Sequence, residues 1–196
     1  IRERRHRDMV VEFTPEKFDP TANFTKISGG SLGGKARGLA FARNLLEKSN
    51  IKNNFPEIEI RVPKLIVIGT EEFDLFMKNN ELWEEALNAK SNDKILKLFL
   101  KSRLTKNLVR SLKIFLSKVH YPIAVRSSSL LEDSQYQPLA GLYETYMLSN
   151  SSTIEKERLS QLCESVKRVY ASQFFQEPKS IMDISTHRHD EEKMAV

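Results

Sequence analysis

Four of the chain's seven glycines fall within six consecutive positions, Gly29-Gly30-Ser31-Leu32-Gly33-Gly34, and Lys35 follows at once. Such a run is ill suited to the interior of a helix or strand. Each glycine carries backbone entropy that folding must remove, and none supplies a side chain to pack. The run is therefore expected as a turn. Before it, Phe24 to Ile27 reads as a short strand. After it, from Lys35 to about Lys48, Leu39, Ala42, Leu45 and Leu46 recur with helical spacing. A glycine turn opening a helix brings several amide groups, the positive helix end and here a lysine toward one point, where a phosphate would be held. The alternative is a flexible turn with a solvated lysine. Gly29, Gly34 and Lys35 also meet most of the G-x-x-x-x-G-K pattern of a P-loop, but Ala36 lacks the hydroxyl that would hold Mg²⁺ there.

The rest of the chain alternates strands with helices. Ile58 to Ile68 is short, apolar and rich in branched residues, so it is expected as a buried strand ended by Gly69. Thr70 reads as a helix cap, with Glu71 and Glu72 in the first turn where acids suit the dipole. Helices are expected over 71–79, 81–89, 93–101 and 104–119. Tyr121 to Arg126 returns to strand, residues 127–139 form a polar loop, and Leu142 to Leu148 alternates as another strand. Ser152-Thr153-Ile154-Glu155 has capping-box spacing and opens a helix to about Phe175, with Leu159, Leu162, Val166, Val169 and Tyr170 as its stripe. Glu177 to Ile184 suggests a further short helix. The expected class is α+β, with a mixed sheet and flanking helices.

Composition narrows the setting. No apolar run reaches the roughly 18 residues that a membrane span needs. A single cysteine, Cys163, excludes an internal disulfide framework and favours the cytoplasm; its neighbours Leu159, Leu162 and Val166 suggest core packing. The net charge is +5, and residues 90–118 hold nine Lys or Arg against one acid, Asp93. A basic block of that kind attracts nucleic acid when it forms one surface. Here Lys94, Lys97 and Lys101 share a helical face, as do Lys106, Arg110 and Lys113, with leucines and phenylalanines opposite. Amphipathic helices with solvated basic sides are expected, and no nucleic-acid partner. Residues 1–22 are polar, basic and punctuated by Pro15 and Pro20, so they read as a linker from an upstream segment. The chain opens on Ile1 and closes on Met194-Ala195-Val196, which looks like the start of a buried strand, so it reads as a piece of a longer protein.

Two further segments carry candidate chemistry. In Ala124-Val125-Arg126-Ser127-Ser128-Ser129-Leu130-Leu131-Glu132-Asp133, a strand delivers an arginine followed by three hydroxyls and two acids. A guanidinium grips phosphate oxygens with its planar fork; equally, an Arg126 paired with Glu132 or Asp133 would serve only to organise the loop. In Leu139-Ala140-Gly141-Leu142-Tyr143-Glu144-Thr145-Tyr146, Gly141 permits a backbone to approach a ligand closely, or is an ordinary turn glycine.

Taken in order, the paired glycines with Lys35, the Ala124 to Ser128 strand end, the Glu132-Asp133 pair and the Ala140-Gly141-Leu142-Tyr143-Glu144-Thr145 turn resemble the ATP-binding domain of the phosphoenolpyruvate synthase and pyruvate phosphate dikinase family. Val62-Pro63, Ile66 to Thr70 and Ser165 to Phe175 add to the resemblance, which covers about residues 23–196. It implies a truncated N-terminal part of an ATP-grasp domain. It implies that Lys35 and Arg126 hold ATP phosphates and that Gly141 and Thr145 lie in the turn covering them. Phosphate would then pass to a histidine on a separate downstream domain, and on to pyruvate or a related acceptor. Mg²⁺ is implied as well, with its ligands and the phosphorylated histidine beyond Val196. His6, His120, His187 and His189 match no such site. The departures are Ala36-Arg37-Gly38, Ser129-Leu130-Leu131 and the stretch Ser134-Gln135-Tyr136-Gln137-Pro138, which bear on the acceptor rather than on the phosphate ligands. A non-catalytic nucleotide-sensing module is the alternative from another class.

Overall fold

A computed structural model describes residues 10–49, 55, 57–129, 141–184 and 192–196. Its first sheet is parallel, in the order β1 (Val11–Glu12), β2 (Phe24–Ile27) and β3 (Leu65–Ile68). Helix α1 (Gly33–Lys48) leaves β2, and α2 (Thr70–Asn79) leaves β3. Then come α3 (Leu82–Asn88), α4 (Asn92–Lys101) and α5 (Lys106–Lys118). Strands β4 (Ile123–Arg126) and β5 (Thr145–Leu148) form an antiparallel pair, and α6 (Glu155–Ser172) and α7 (Gln176–Ile184) follow.

Both long strand expectations shorten. β3 occupies only the last four residues of the stretch from Ile58, and Ile58 itself is exposed. Its partner β2 is four residues long, with Phe24 opposite Leu65 and Ile27 opposite Ile68, and Pro63 has no amide to extend the ladder. The same limit cuts β5, whose register runs from Arg126↔Thr145 to Ile123↔Leu148. The expected linker is in part packed. Val11 and Glu12 pair with Thr25 and Lys26, and Phe18 is buried with its ring 6.2 Å from that of Phe115.

The carboxyl end joins the two sheets. Ile68 and Val196 exchange backbone hydrogen bonds of 2.7 and 3.1 Å, and the Ser128 amide donates to the Ala195 carbonyl at 2.7 Å. Met194 and Ala195 are fully buried there.

The main core lies on the helical side. α6 packs against α4 and α5 and turns Leu162, Val166, Val169 and Tyr170 inward. Phe73, Phe76, Phe99, Tyr170 and Phe174 form its aromatic centre, with Phe73 and Tyr170 5.2 Å apart edge to face. All nine basic residues of the 90–118 block are exposed, opposite buried Ile95, Phe99, Leu108, Leu112, Phe115 and Leu116. Cys163 is half-buried against the core, and burial pushes its thiol above the ordinary value.

Two cap expectations change. The cap of α2 is Gly69, because Thr70 already lies in the helix and spends its hydroxyl on the Ser31 amide at 2.9 Å. Ser152 makes no capping box: its hydroxyl donates to Glu157 at 2.7 Å and accepts from the Ile154 amide, while Ile154 stands at the cap of α6.

Candidate functional site

The glycine turn docks on residues 127–129. Gly33 holds φ +73°, and a Cβ there would sit 1.5 Å from the Ser128 carbonyl oxygen, so only glycine lets these two backbones meet. Ser128 locks the junction. Its hydroxyl accepts from the Ala36 amide at 3.0 Å and donates to the Leu32 carbonyl at 2.8 Å. The Gly34 amide donates to the Ser129 carbonyl at 2.9 Å, and the Gly33 amide to the Ser31 hydroxyl at 3.2 Å. α1 therefore has no side-chain cap of its own; the segment after β4 supplies its acceptors.

The same contact fixes Lys35. Its ammonium donates to the Ser127 carbonyl at 3.2 Å and the Ser127 hydroxyl at 3.1 Å, across 92 positions of sequence. Arg126 is the preceding residue. It ends β4 on the exposed side, while Val125 points into the core, as strand alternation requires. Thr145 is directly opposite Arg126 in register and also exposed.

Lys35 and Arg126 line one cleft of about 640 Å³. Its walls come from β3 through Ile66 and Ile68, from β4 through Ile123 and Val125, and from α1 through Ala36 and Leu39. Polar residues that line it include Thr25, Lys64, Ser127 and Ser128. An apolar wall with cations at one side strengthens their attraction for an anion, because water screens less there.

Of the four residues singled out from sequence, Lys35, Arg126 and Thr145 thus lie along one chain of contacts. Gly141 and Thr145 do not line the cleft. Gly141 has φ +82° with nothing within 4 Å of an added Cβ, so its backbone conformation rather than a close contact calls for glycine. The acids Glu132 and Asp133 lie outside the described residues, as do His6, His187 and His189; His120 is exposed.

Sequence reasoning missed Ser127 and Ser128 as partners of α1, and Glu71 as a partner of the glycine turn. The Gly29 amide and the Ser28 hydroxyl both donate to Glu71 Oε2, at 2.7 and 2.8 Å. Those two bonds hold the Glu71 carboxyl below its ordinary value. Amides expected to face an incoming anion are therefore engaged inside the protein. The run of hydroxyls after Arg126 was the one available signal.

Among the described residues no three His, Cys, Asp or Glu side chains gather as a metal site. No helix among them is long and apolar enough to cross a membrane. No curated protein and no solved structure matches the chain. The family described as pyruvate phosphate dikinase, AMP/ATP-binding domain, matches residues 30–196.

Proposed function

The chain belongs to the pyruvate phosphate dikinase AMP/ATP-binding domain family, and from that premise we propose that it binds ATP with the phosphates between Lys35 and Arg126. The observation that carries this reading is their convergence: a helix start and a strand end, far apart in sequence, place a lysine and an arginine on one cleft. A polyphosphate needs several donors around one point, and phosphoryl transfer depends chiefly on positioning and charge neutralisation. Lys35 supplies a point charge whose direction Ser127 sets. Arg126 supplies the fork, with Thr145 beside it as a hydroxyl donor. Gly141, at the head of the same strand pair, shapes the turn that would close over the phosphates.

In the parent enzyme, on this reading, the domain is part of an ATP-grasp fold in the cytoplasm. It donates phosphate to a histidine on another domain, which passes it to pyruvate or a related acceptor. Mg²⁺, when bound, would neutralise and bridge phosphate oxygens, with protein ligands from outside the described residues. The expected mixed sheet is instead a parallel three-stranded sheet and a separate antiparallel pair, so the ATP-grasp assignment rests on the family match and on the α+β class.

Arg126→Lys in the parent enzyme tests the site. Lysine keeps the charge and loses the fork, so phosphoryl transfer is expected to fall about tenfold or more, about 1.4 kcal/mol in the barrier. Calorimetry on the chain itself should show weaker ATP binding for Lys35→Ala. Unchanged kinetics in Arg126→Lys would reduce Arg126 to an organiser of its loop.

A further inference from the structure

Two loops leave the same ends of the adjacent parallel strands β2 and β3, and they close on each other. From the first, Ser28 Oγ and the Gly29 amide donate to Glu71 Oε2, and the Ser31 amide donates to Thr70 Oγ1. From the second, the amides of Gly69, Thr70 and Glu71 donate to the carbonyls of Ile27, Ser31 and Gly29 at 2.9, 3.1 and 3.4 Å. Ser28 is held at φ +68°, a left-handed conformation that a serine adopts only at a cost. Gly30 follows at φ +80°. The fit leaves no space: a Cβ on Gly29 would meet Glu71 Oε2 at 2.6 Å, and one on Gly30 would meet Thr70 Oγ1 at 2.4 Å.

An amide and a hydroxyl converging on one oxygen, next to left-handed backbone, make an anion receptor. Its anion is a carboxylate of the chain itself. On the other flank of the turn, Ser31, Ser128 and Ser129 take the amides of Gly33, Ala36 and Gly34. The turn is thus held from both sides.

We propose that Glu71 is a positioning residue for the nucleotide site: it fills the receptor at Ser28 and Gly29 and sets the glycine turn so that α1 delivers Lys35 to Ser127, leaving phosphate to the cations rather than to the Ser28 and Gly29 donors. This rests on the ATP reading above. The opposite arrangement has ATP displace Glu71 and bind those donors directly. Removing the carboxylate has opposite effects in the two arrangements. A lost clamp weakens ATP binding; a vacated receptor strengthens it.

The test uses the whole chain as parent, Glu71→Ala, Glu71→Gln and Lys35→Ala. It compares amide hydrogen exchange at Gly29 without nucleotide and ATP affinity by calorimetry. In Glu71→Ala, Gly29 exchange should accelerate and ATP binding weaken, each by about tenfold, the worth of a charge-assisted hydrogen bond. Glu71→Gln should recover most of both, because its amide oxygen can accept from the same two donors. The thermal midpoint should fall only a little in Glu71→Ala and less in Glu71→Gln, since Glu71 is exposed and water takes over part of its bonding. Equal or tighter ATP binding in Glu71→Ala overturns the proposal, and so does a Gly29 amide that stays protected. If the parent takes up no ATP, the nucleotide reading fails and the functional half of the proposal falls with it; fast Gly29 exchange in Glu71→Ala alone would still establish the clamp.

Discussion

Glu71 and Glu72 are neighbours in the first turn of α2, yet their carboxyls are driven in opposite directions. The Ser28 hydroxyl and then the Gly29 amide lower Glu71 from the ordinary 4.5, with Lys26 adding to the effect. Burial raises Glu72, and the Thr105 hydroxyl, which donates to it at 2.6 Å, offsets this only in part; the nearby Glu71 charge adds to the rise. The stability windows are set by those directions. Glu71 contributes stability that is in place above 4.5 and lost as pH falls through its folded value. Glu72 contributes stability that is in place below 4.5 and lost as pH rises through its folded value. Carboxyl titration by carbon NMR should place the two midpoints on either side of 4.5. Glu72→Gln keeps an acceptor for Thr105 and removes the buried charge. Its urea midpoint at pH 7 should be at least the parent's, with a flatter profile on the alkaline side of 4.5. A clear loss at pH 7 would mean that the Glu72 charge is compensated in the fold. From sequence, both acids complement a helix dipole equally. That pattern marks a helix start, but it does not say which acid faces water and which faces Thr105, 33 positions on.

At the scale of elements, α1 shows how one residue type serves two purposes. Gly33 and Gly38 lie in the same helix. A Cβ at Gly38 meets nothing within 4 Å, and its backbone is ordinary. Gly38→Ala should therefore stabilise the chain by about 0.5–1 kcal/mol, the propensity difference in an exposed helix. Gly33→Ala should destabilise it by about 3 kcal/mol or more, because the new atom strikes the Ser128 backbone and the left-handed φ is strained for alanine. Urea denaturation of both variants measures the contrast. A mild effect at Gly33 would mean that the turn can lift off Ser128 without loss. The glycine turn itself was legible, since no other reading suits four glycines in six positions. Its contact was not, because the partner segment lies after β4 and nothing in the local pattern names it. Lys179 teaches the same lesson. It reads as one charge in a short helix, yet its ammonium meets the carbonyls of Ala86, Leu87 and Ala89 at 2.8 to 3.1 Å and closes the end of α3.

For the whole molecule, the order of motifs was more informative than any single one. Lys35, Arg126 and Thr145 stand out by their place in a family pattern, and the family itself is established over residues 30–196. The lengths of strands were less legible, because a strand extends only as far as its partner, and the partners of β3 and β5 are each four residues long. Met194-Ala195-Val196 was readable as the opening of a strand, but its place was not: it bridges Ile68 of the parallel sheet and Ser128 in the segment that follows β4. Through that bridge the two walls of the cleft are held together, and with them Lys35 and Arg126. Deleting residues 194–196 removes a fully buried methionine, about 2–5 kcal/mol by itself. It also removes the backbone bonds to Ile68 and Ser128, about 1 kcal/mol each. The sum rivals the roughly 5–15 kcal/mol that keeps a domain folded. The shortened chain should lose cooperative unfolding in urea, and its Ile68 and Ser128 amides should exchange rapidly. Met194→Ala separates the two contributions, because it removes packing and leaves the bridges: stability should fall while the Ile68 amide stays protected. A shortened chain with the parent's urea midpoint would show that the sheets hold together by the helical core alone, and that the bridge does not set the distance between Lys35 and Arg126.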